Sequence, residues 1–176
     1  MTHIYGTLFA SSTNSKMNLM EISYPLVHEG KNLNGHIFTR EEMAEAYETL
    51  IGTPIDLDHS QTINDVVGKH TDAEFKIEDG KAVIYCKGYI YADFYPELAA
   101  KLRDGVVTGI SMKTHYEWAE RTADGMILHG LNFLGAGIVR TPADPKARVV
   151  LSENKAVKEI MAKVVESLLT SKGVKA

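Results

Sequence analysis

The sequence predicts an α+β fold, a largely antiparallel sheet or barrel with helices at its periphery. Three observations carry this. Short runs rich in β-branched and aromatic residues crowd positions 54–92, as strands require. A capped amphipathic helix precedes them at 39–50. Two long apolar runs, 106–118 and 126–140, flank the polar RTADGM and form a hairpin pattern.

In chain order, residues 1–28 read as β, in the runs IYGTLF and NLMEISYPLV. The Gly- and Asn-rich stretch 29–38 reads as a turn or loop. Thr39 and Glu42 have capping-box spacing, in which each side chain satisfies a free backbone N–H at a helix start. Met43, Ala46, Tyr47 and Leu50 share one helical face, and Gly52 and Pro54 stop the helix. TPIDLDH is extended, with Ile55 and Leu57 alternating against Asp56 and Asp58. DVVGKH and EFKIE follow as strands. Asp79-Gly80 then turns the chain into the long β run KAVIYCKGYIYA. Residues 93–104 make a short helix ended by Gly105. TPADPKARV is a loop. Residues 153–171 form an amphipathic helix with Val157, Ile160, Met161, Val164, Val165 and Leu168 on one stripe;.

The 176 residues suit one domain, with residues 1–152 as its body and 153–176 as a C-terminal helix and tail that packs on it or mediates self-association;. A net charge of −4 gives no electrostatic case for nucleic acid;. The single cysteine, Cys86, rules out an internal disulfide framework and reads as a buried, inert thiol;. No apolar stretch reaches membrane-span length, and the N-terminus lacks a signal-peptide pattern. The expectation is a soluble, intracellular protein.

Two residues stand out chemically. His59 ends an extended segment beside a loop, where an imidazole with an ordinary pKa near 6.5 can accept a proton. Ser111 lies in the apolar strand run Thr108-Gly109-Ile110-Ser111-Met112, and its hydroxyl needs a neighbouring base to become a nucleophile. Local spacing alone favours a structural role for each. The triplet Gly109-Ile110-Ser111 is not the Gly-x-Ser-x-Gly elbow of the α/β hydrolases.

Read together, the surroundings say more. Asn32-Leu33-Asn34-Gly35-His36-Ile37-Phe38 precedes a helix, and Gly-Thr-Pro-Ile-Asp-Leu-Asp-His59 follows it. LAAKLRDGVVTGIS places a short glycine-ended helix before the serine strand, and GIVRTPADPKARV closes the set. Over roughly residues 30–150 this order resembles the prohead proteases of tailed phages. The resemblance implies a herpesvirus-assemblin-like fold, a β-barrel ringed by helices. It implies a serine endopeptidase of head maturation, with Ser111 as nucleophile and His59 as general base. Its substrates would be scaffold protein, extensions of the major capsid protein and the chain itself. It would act inside the procapsid in the host cytoplasm, with no cofactor and no nucleic-acid or membrane partner.

One position departs from the family pattern. Many members carry Glu or Asp just before the Ile-Val pair of the closing strand, and here that stretch is Leu134-Gly135-Ala136-Gly137-Ile138-Val139. The third group that orients the imidazole must come from elsewhere. His129 ranks first, since assemblins use a histidine. A hairpin centred near 121–123 puts His129 opposite His115 and Asn132 nearer Ser111. Strand alternation turns Asp56 and Asp58 away from the face of His59. Gly135 and Gly137 either help form an oxyanion hole or relieve crowding at a bend.

Two other classes stand against the protease. A metal-dependent hydrolase would draw on Asp56, Asp58, His59, His70, His115 and His129, although these lack the tight spacing of a helical zinc site. A catalytically inactive, protease-like capsid or scaffold component would leave Ser111 and His59 apart.

Overall fold

The computed structural model describes residues 17–151; the predicted C-terminal helix and the first β run lie outside them. Strand β1 (Leu19–His28) leads into the short β2 (Gly30–Lys31) and β3 (His36–Phe38). Helix α1 (Arg40–Ala46) continues as a 3₁₀ turn, Tyr47–Leu50, and buries Met43, Ala46 and Leu50 as its spacing predicts. Thr39 caps α1 by accepting from the Glu42 N–H at 3.4 Å.

The middle of the chain builds the main sheet. Strands β4 (Pro54–Leu57), β5 (Val66–Glu78) and β6 (Lys81–Tyr91) follow α1. DVVGKH and EFKIE are one strand, β5, kinked by a register shift between His70 and Asp72. The Asp79-Gly80 turn joins β5 to β6, with both residues at positive φ. Helix α2 (Pro96–Arg103) starts on a proline, whose missing N–H is no loss in a first helical turn;. The hairpin that follows is split into β7 (Ile110–His115) and β8 (Trp118–Arg121) outward, then β9 (Met126–His129) and β10 (Asn132–Ile138) on the return. A two-residue β11 (Val150–Leu151) closes the described chain.

The expected barrel ringed by helices is corrected here. The strands form two open mixed sheets, a seven-stranded one ordered β11-β1-β6-β5-β4-β10-β7 and a four-stranded one ordered β2-β3-β9-β8. Each contains one parallel pairing, β4 with β10 and β3 with β9. Closure fails for identifiable reasons. Between the edges of the larger sheet only an isolated bridge forms, Gly109 to Arg148. The loop leading into it carries Pro142 and Pro145, which have no N–H to extend a ladder;. Meanwhile the hairpin leaves the larger sheet near Gly130, at φ 65°, and its outer half pairs with β3 instead.

One hydrophobic core backs the larger sheet. It takes Ile22, Tyr24 and Leu26 from β1, Ile55 from β4, Ile84 and Ile90 from β6, Ile110 from β7, and Phe133, Ala136 and Ile138 from β10. Cys86 is buried in it, and burial pushes its thiol well above the ordinary range, as an inert thiol requires;. His70 is fully buried too, between the Tyr24 hydroxyl at 2.6 Å and the Thr53 hydroxyl at 3.0 Å. Burial lowers its pKa from 6.5 to about 4, against a smaller opposing effect of the Thr53 carbonyl.

That shift makes His70 an acid-sensitive point. Between pH 6.5 and about 4 the unfolded chain binds a proton there and the folded chain does not. Stability from this group is therefore intact above about pH 6.5 and lost as pH falls to about 4, a total of about 3 kcal/mol. Urea denaturation of wild type and His70→Gln across this window should give a shallower pH slope for the variant. Equal slopes would place the acid sensitivity elsewhere.

Candidate active site

The predicted serine and histidine each lie beside Gly137, in a region built by three adjacent strands. In β7, Ile110 lies in the core and Met112 packs against it, so Ser111 and Lys113 point to the opposite face;. In β4, Ile55 and Leu57 face the core, so Asp56 points to that same opposite face. Between them runs β10, and the register places Ser111 opposite Gly137 and Gly137 beside Asp56. Ser111, Gly137 and Asp56 thus form one row across the sheet. Ser111 is 9% exposed and Asp56 2%.

His59 enters this row from above. Strand β4 ends at Leu57, and Asp58 and His59 both take left-handed backbone conformations, at φ 49° and 60°. The Ser60 N–H donates to the Leu57 carbonyl at 2.9 Å and closes a tight turn, while the Asp58 N–H donates to the Ile138 carbonyl at 3.0 Å. A turn with two left-handed central residues reverses the chain sharply. It folds His59 back over Gly137, onto the face that carries Asp56 and Ser111. Two adjacent non-glycine residues in this region are a local strain held by the surrounding structure, as is common at functional sites.

Gly137 is the floor of the site. A Cβ on it would lie 2.9 Å from the His59 amide nitrogen, 3.0 Å from His59 Nδ1 and 3.1 Å from Asp56 Oδ1. Its missing side chain is what lets the imidazole sit between the Asp56 and Ser111 strands. The glycine at 137 thus permits the close approach of the His59 turn to β10;.

The charges are arranged around the same point. Lys113 forms a salt bridge with Asp56 Oδ2 across the glycine strand, and donates to the Ser60 carbonyl at 2.9 Å. Asp56 Oδ1 and His59 Nδ1 are both buried, and among the described residues neither has a hydrogen-bond partner. Burial holds the His59 pKa below its usual value; Asp56 and, more weakly, Asp58 oppose this, and Lys113 adds to it. Of the β7 side chains, Lys113 and Thr114 make hydrogen bonds, and the Ser111 hydroxyl makes none among the described residues.

The remaining predicted residues fall elsewhere. His129 lies in β9 of the smaller sheet, opposite Trp118 and not His115. The hairpin is centred a little later than expected, so the register shifts with it. Trp118 stacks on His129 at 4.0 Å between ring centroids, and Glu42 takes His129 Nδ1 at 3.0 Å and the Gly130 N–H at 2.9 Å. Glu42 therefore serves the hairpin in place of the second half of its capping box. Asn132 pairs with His115, four residues along β7 from Ser111. Asp58 is exposed, Gly135 packs against the Pro54 carbonyl, and His70 is in the core. Among the described residues no three His, Cys, Asp or Glu side chains gather into a metal site.

Comparison of the chain with models of known protein families and with curated proteins gives no match. The site is read from its own residues. Sequence reasoning set Asp56 aside and did not single out Lys113. One available signal was Gly135-x-Gly137 within a strand, which marks close approach of a neighbouring chain. The other was Lys113 at alternating spacing from Ser111, on the same strand face.

Proposed function

We propose that this chain is a serine endopeptidase of the phage-prohead type, with Ser111 as nucleophile and His59 as general base. The observation that carries this reading is the row Ser111–Gly137–Asp56 with the His59 imidazole folded over its glycine. His59 takes the Ser111 hydroxyl proton as the oxygen attacks a peptide carbonyl. The protonated imidazole then passes that proton to the leaving amine. Water, deprotonated by the same imidazole, releases the acyl group from Ser111. Scaffold protein and capsid-protein extensions are the substrates to which the sequence resemblance points, with self-cleavage as a further reaction.

One observation favours an inactive capsid or scaffold component: no hydrogen bond joins the Ser111 hydroxyl to His59. Catalytic hydrogen bonds are commonly long until substrate closes the site, so labelling separates the two readings. A fluorophosphonate probe should modify Ser111 in the native protein and fail to do so in His59→Ala. Labelling that is indifferent to His59, or absent from Ser111, supports the inactive protein. The labelling rate should also fall as pH drops through the His59 pKa, because only neutral imidazole is a base. Burial lowers that pKa, so the half-maximal rate is expected below about pH 6.5. A rate flat from about pH 8 to pH 4 would remove histidine from the mechanism.

A further inference from the structure

We infer that Asp56 is the positioning residue of this site, its Oδ1 accepting the Nδ1–H of His59 while Lys113 clamps its Oδ2. This rests on the reading of Ser111 and His59 as nucleophile and base. It supplies from strand β4 the carboxylate that is missing from the closing strand.

Asp56 is 2% exposed, and a buried carboxylate needs a counter-charge and partners for both oxygens. Lys113 meets Oδ2. Among the described residues Oδ1 has no partner, and neither has the buried Nδ1 of His59. Both atoms border the space above Gly137, each about as close as hydrogen-bonded atoms are to the position of its absent Cβ. An orphaned acceptor and an orphaned donor facing one gap satisfy each other when Nδ1 carries the proton. That assignment leaves Nε2 bare, and a bare Nε2 is the atom that can take a proton from Ser111.

Lys113 does two things here. Its ammonium holds one carboxylate oxygen, which leaves the other directed at the imidazole. Its bond to the Ser60 carbonyl ties the turn that carries His59 to the strand that carries Ser111. The charged groups facing His59 are Asp56 from β4, Lys113 from β7 and Asp58 from its own turn. The nearby Asp65 is engaged by the Ser60 hydroxyl at 2.5 Å.

The test is ¹⁵N NMR of the histidine side chains in the full chain, with His59 assigned by its loss in His59→Gln. In wild type at neutral pH, His59 should be the Nδ1–H tautomer; an Nε2–H tautomer overturns the proposal. In Asp56→Asn the side-chain amide donates to Nδ1, so the tautomer should switch and the His59 pKa should fall. The labelling rate of Ser111 should drop about 10³- to 10⁴-fold. In Lys113→Met, removing the cation should raise the His59 pKa and move the acid limb of the labelling profile upward with it. Unchanged tautomer and pKa in Asp56→Asn reject Asp56 even where Ser111 remains reactive. A switched tautomer in a protein whose Ser111 never reacts supports the Asp56 contact and rejects the protease. Should Asp56→Asn fail to fold, the wild-type tautomer and the Lys113→Met titration decide.

Discussion

Ser111→Ala should retain the wild-type fold and lose peptide-bond cleavage by about 10⁴- to 10⁶-fold in kcat. The fold should survive because the Ser111 hydroxyl bonds to nothing among the described residues, and alanine removes one poorly solvated oxygen from a site that is 9% exposed. Deleting an unpartnered hydroxyl leaves no group unsatisfied. The chemistry should fail because an alanine methyl cannot form an acyl-enzyme. His59→Ala should give a loss of similar size, since an unassisted serine hydroxyl is a poor nucleophile. The double variant separates this mechanism from two independent contributions. Residues that act as one unit are non-additive, so Ser111→Ala/His59→Ala should be no slower than either single variant. Measured turnover of the proposed scaffold-type peptide substrate, with unfolding curves for all three variants, checks this. Losses that multiply in the double variant would mean that the two residues do not share one step.

How far the sequence could carry this site depends on how local each feature is. The Thr39 cap and the Met43, Ala46, Leu50 face were legible because a helix is specified within a few turns of chain;. The Asp79-Gly80 turn was legible for the same reason. Asp56 was misread because alternation was extended one step too far. Carrying β4 through to His59 puts the two on opposite faces, whereas the strand ends at Leu57 and the left-handed pair Asp58-His59 folds back. That turn is held by the Ile138 carbonyl and by Lys113, from strands far along the chain. The one local bond, from the Ser60 N–H to the Leu57 carbonyl, closes the turn but leaves no motif in the sequence around His59 that announces it. The barrel was overestimated for a related reason. Closure depends on which distant edges pair, and the hairpin diverges at Gly130 into a second sheet whose partner strand, β3, lies inside the predicted loop 29–38. Lys113 became visible once the parallel β4–β10 pairing was known, because its bridge to Asp56 crosses a strand that occurs later in sequence than either residue.

Gly137→Ala is expected to separate catalysis from folding most sharply. The new methyl carbon would sit 2.9 Å from the His59 amide nitrogen, closer than carbon and nitrogen pack without bonding, and 3.0 Å from the ring nitrogen. A flexible side chain could swing away at little cost. The closest atom here is backbone, so the whole turn from Leu57 to Ser60 has to lift. The lift works against the Asp58 bond to Ile138 and the Lys113 bond to Ser60. Overpacking of this kind costs about 1–3 kcal/mol, which a single domain of ordinary stability tolerates. Catalysis is less forgiving, because a displacement of about 1 Å in a base costs about 10²-fold in rate. Gly137→Ala should therefore remain folded at 25 °C while its kcat/KM falls by about 10²-fold, most of it in kcat. Gly68→Ala provides the contrast. Its methyl would meet the Tyr89 carbonyl of β6; Gly68 also pairs with Ile55 of β4, but the atoms nearest the methyl all belong to Tyr89 and Ile90 and none to the row of Ser111. It should lose stability first, with the activity of the folded fraction close to wild type. Reactivity of Ser111 toward the fluorophosphonate probe, normalised to the folded fraction from urea curves, reads both variants. If Gly137→Ala reacts at the wild-type rate, His59 does not act from its place above that glycine.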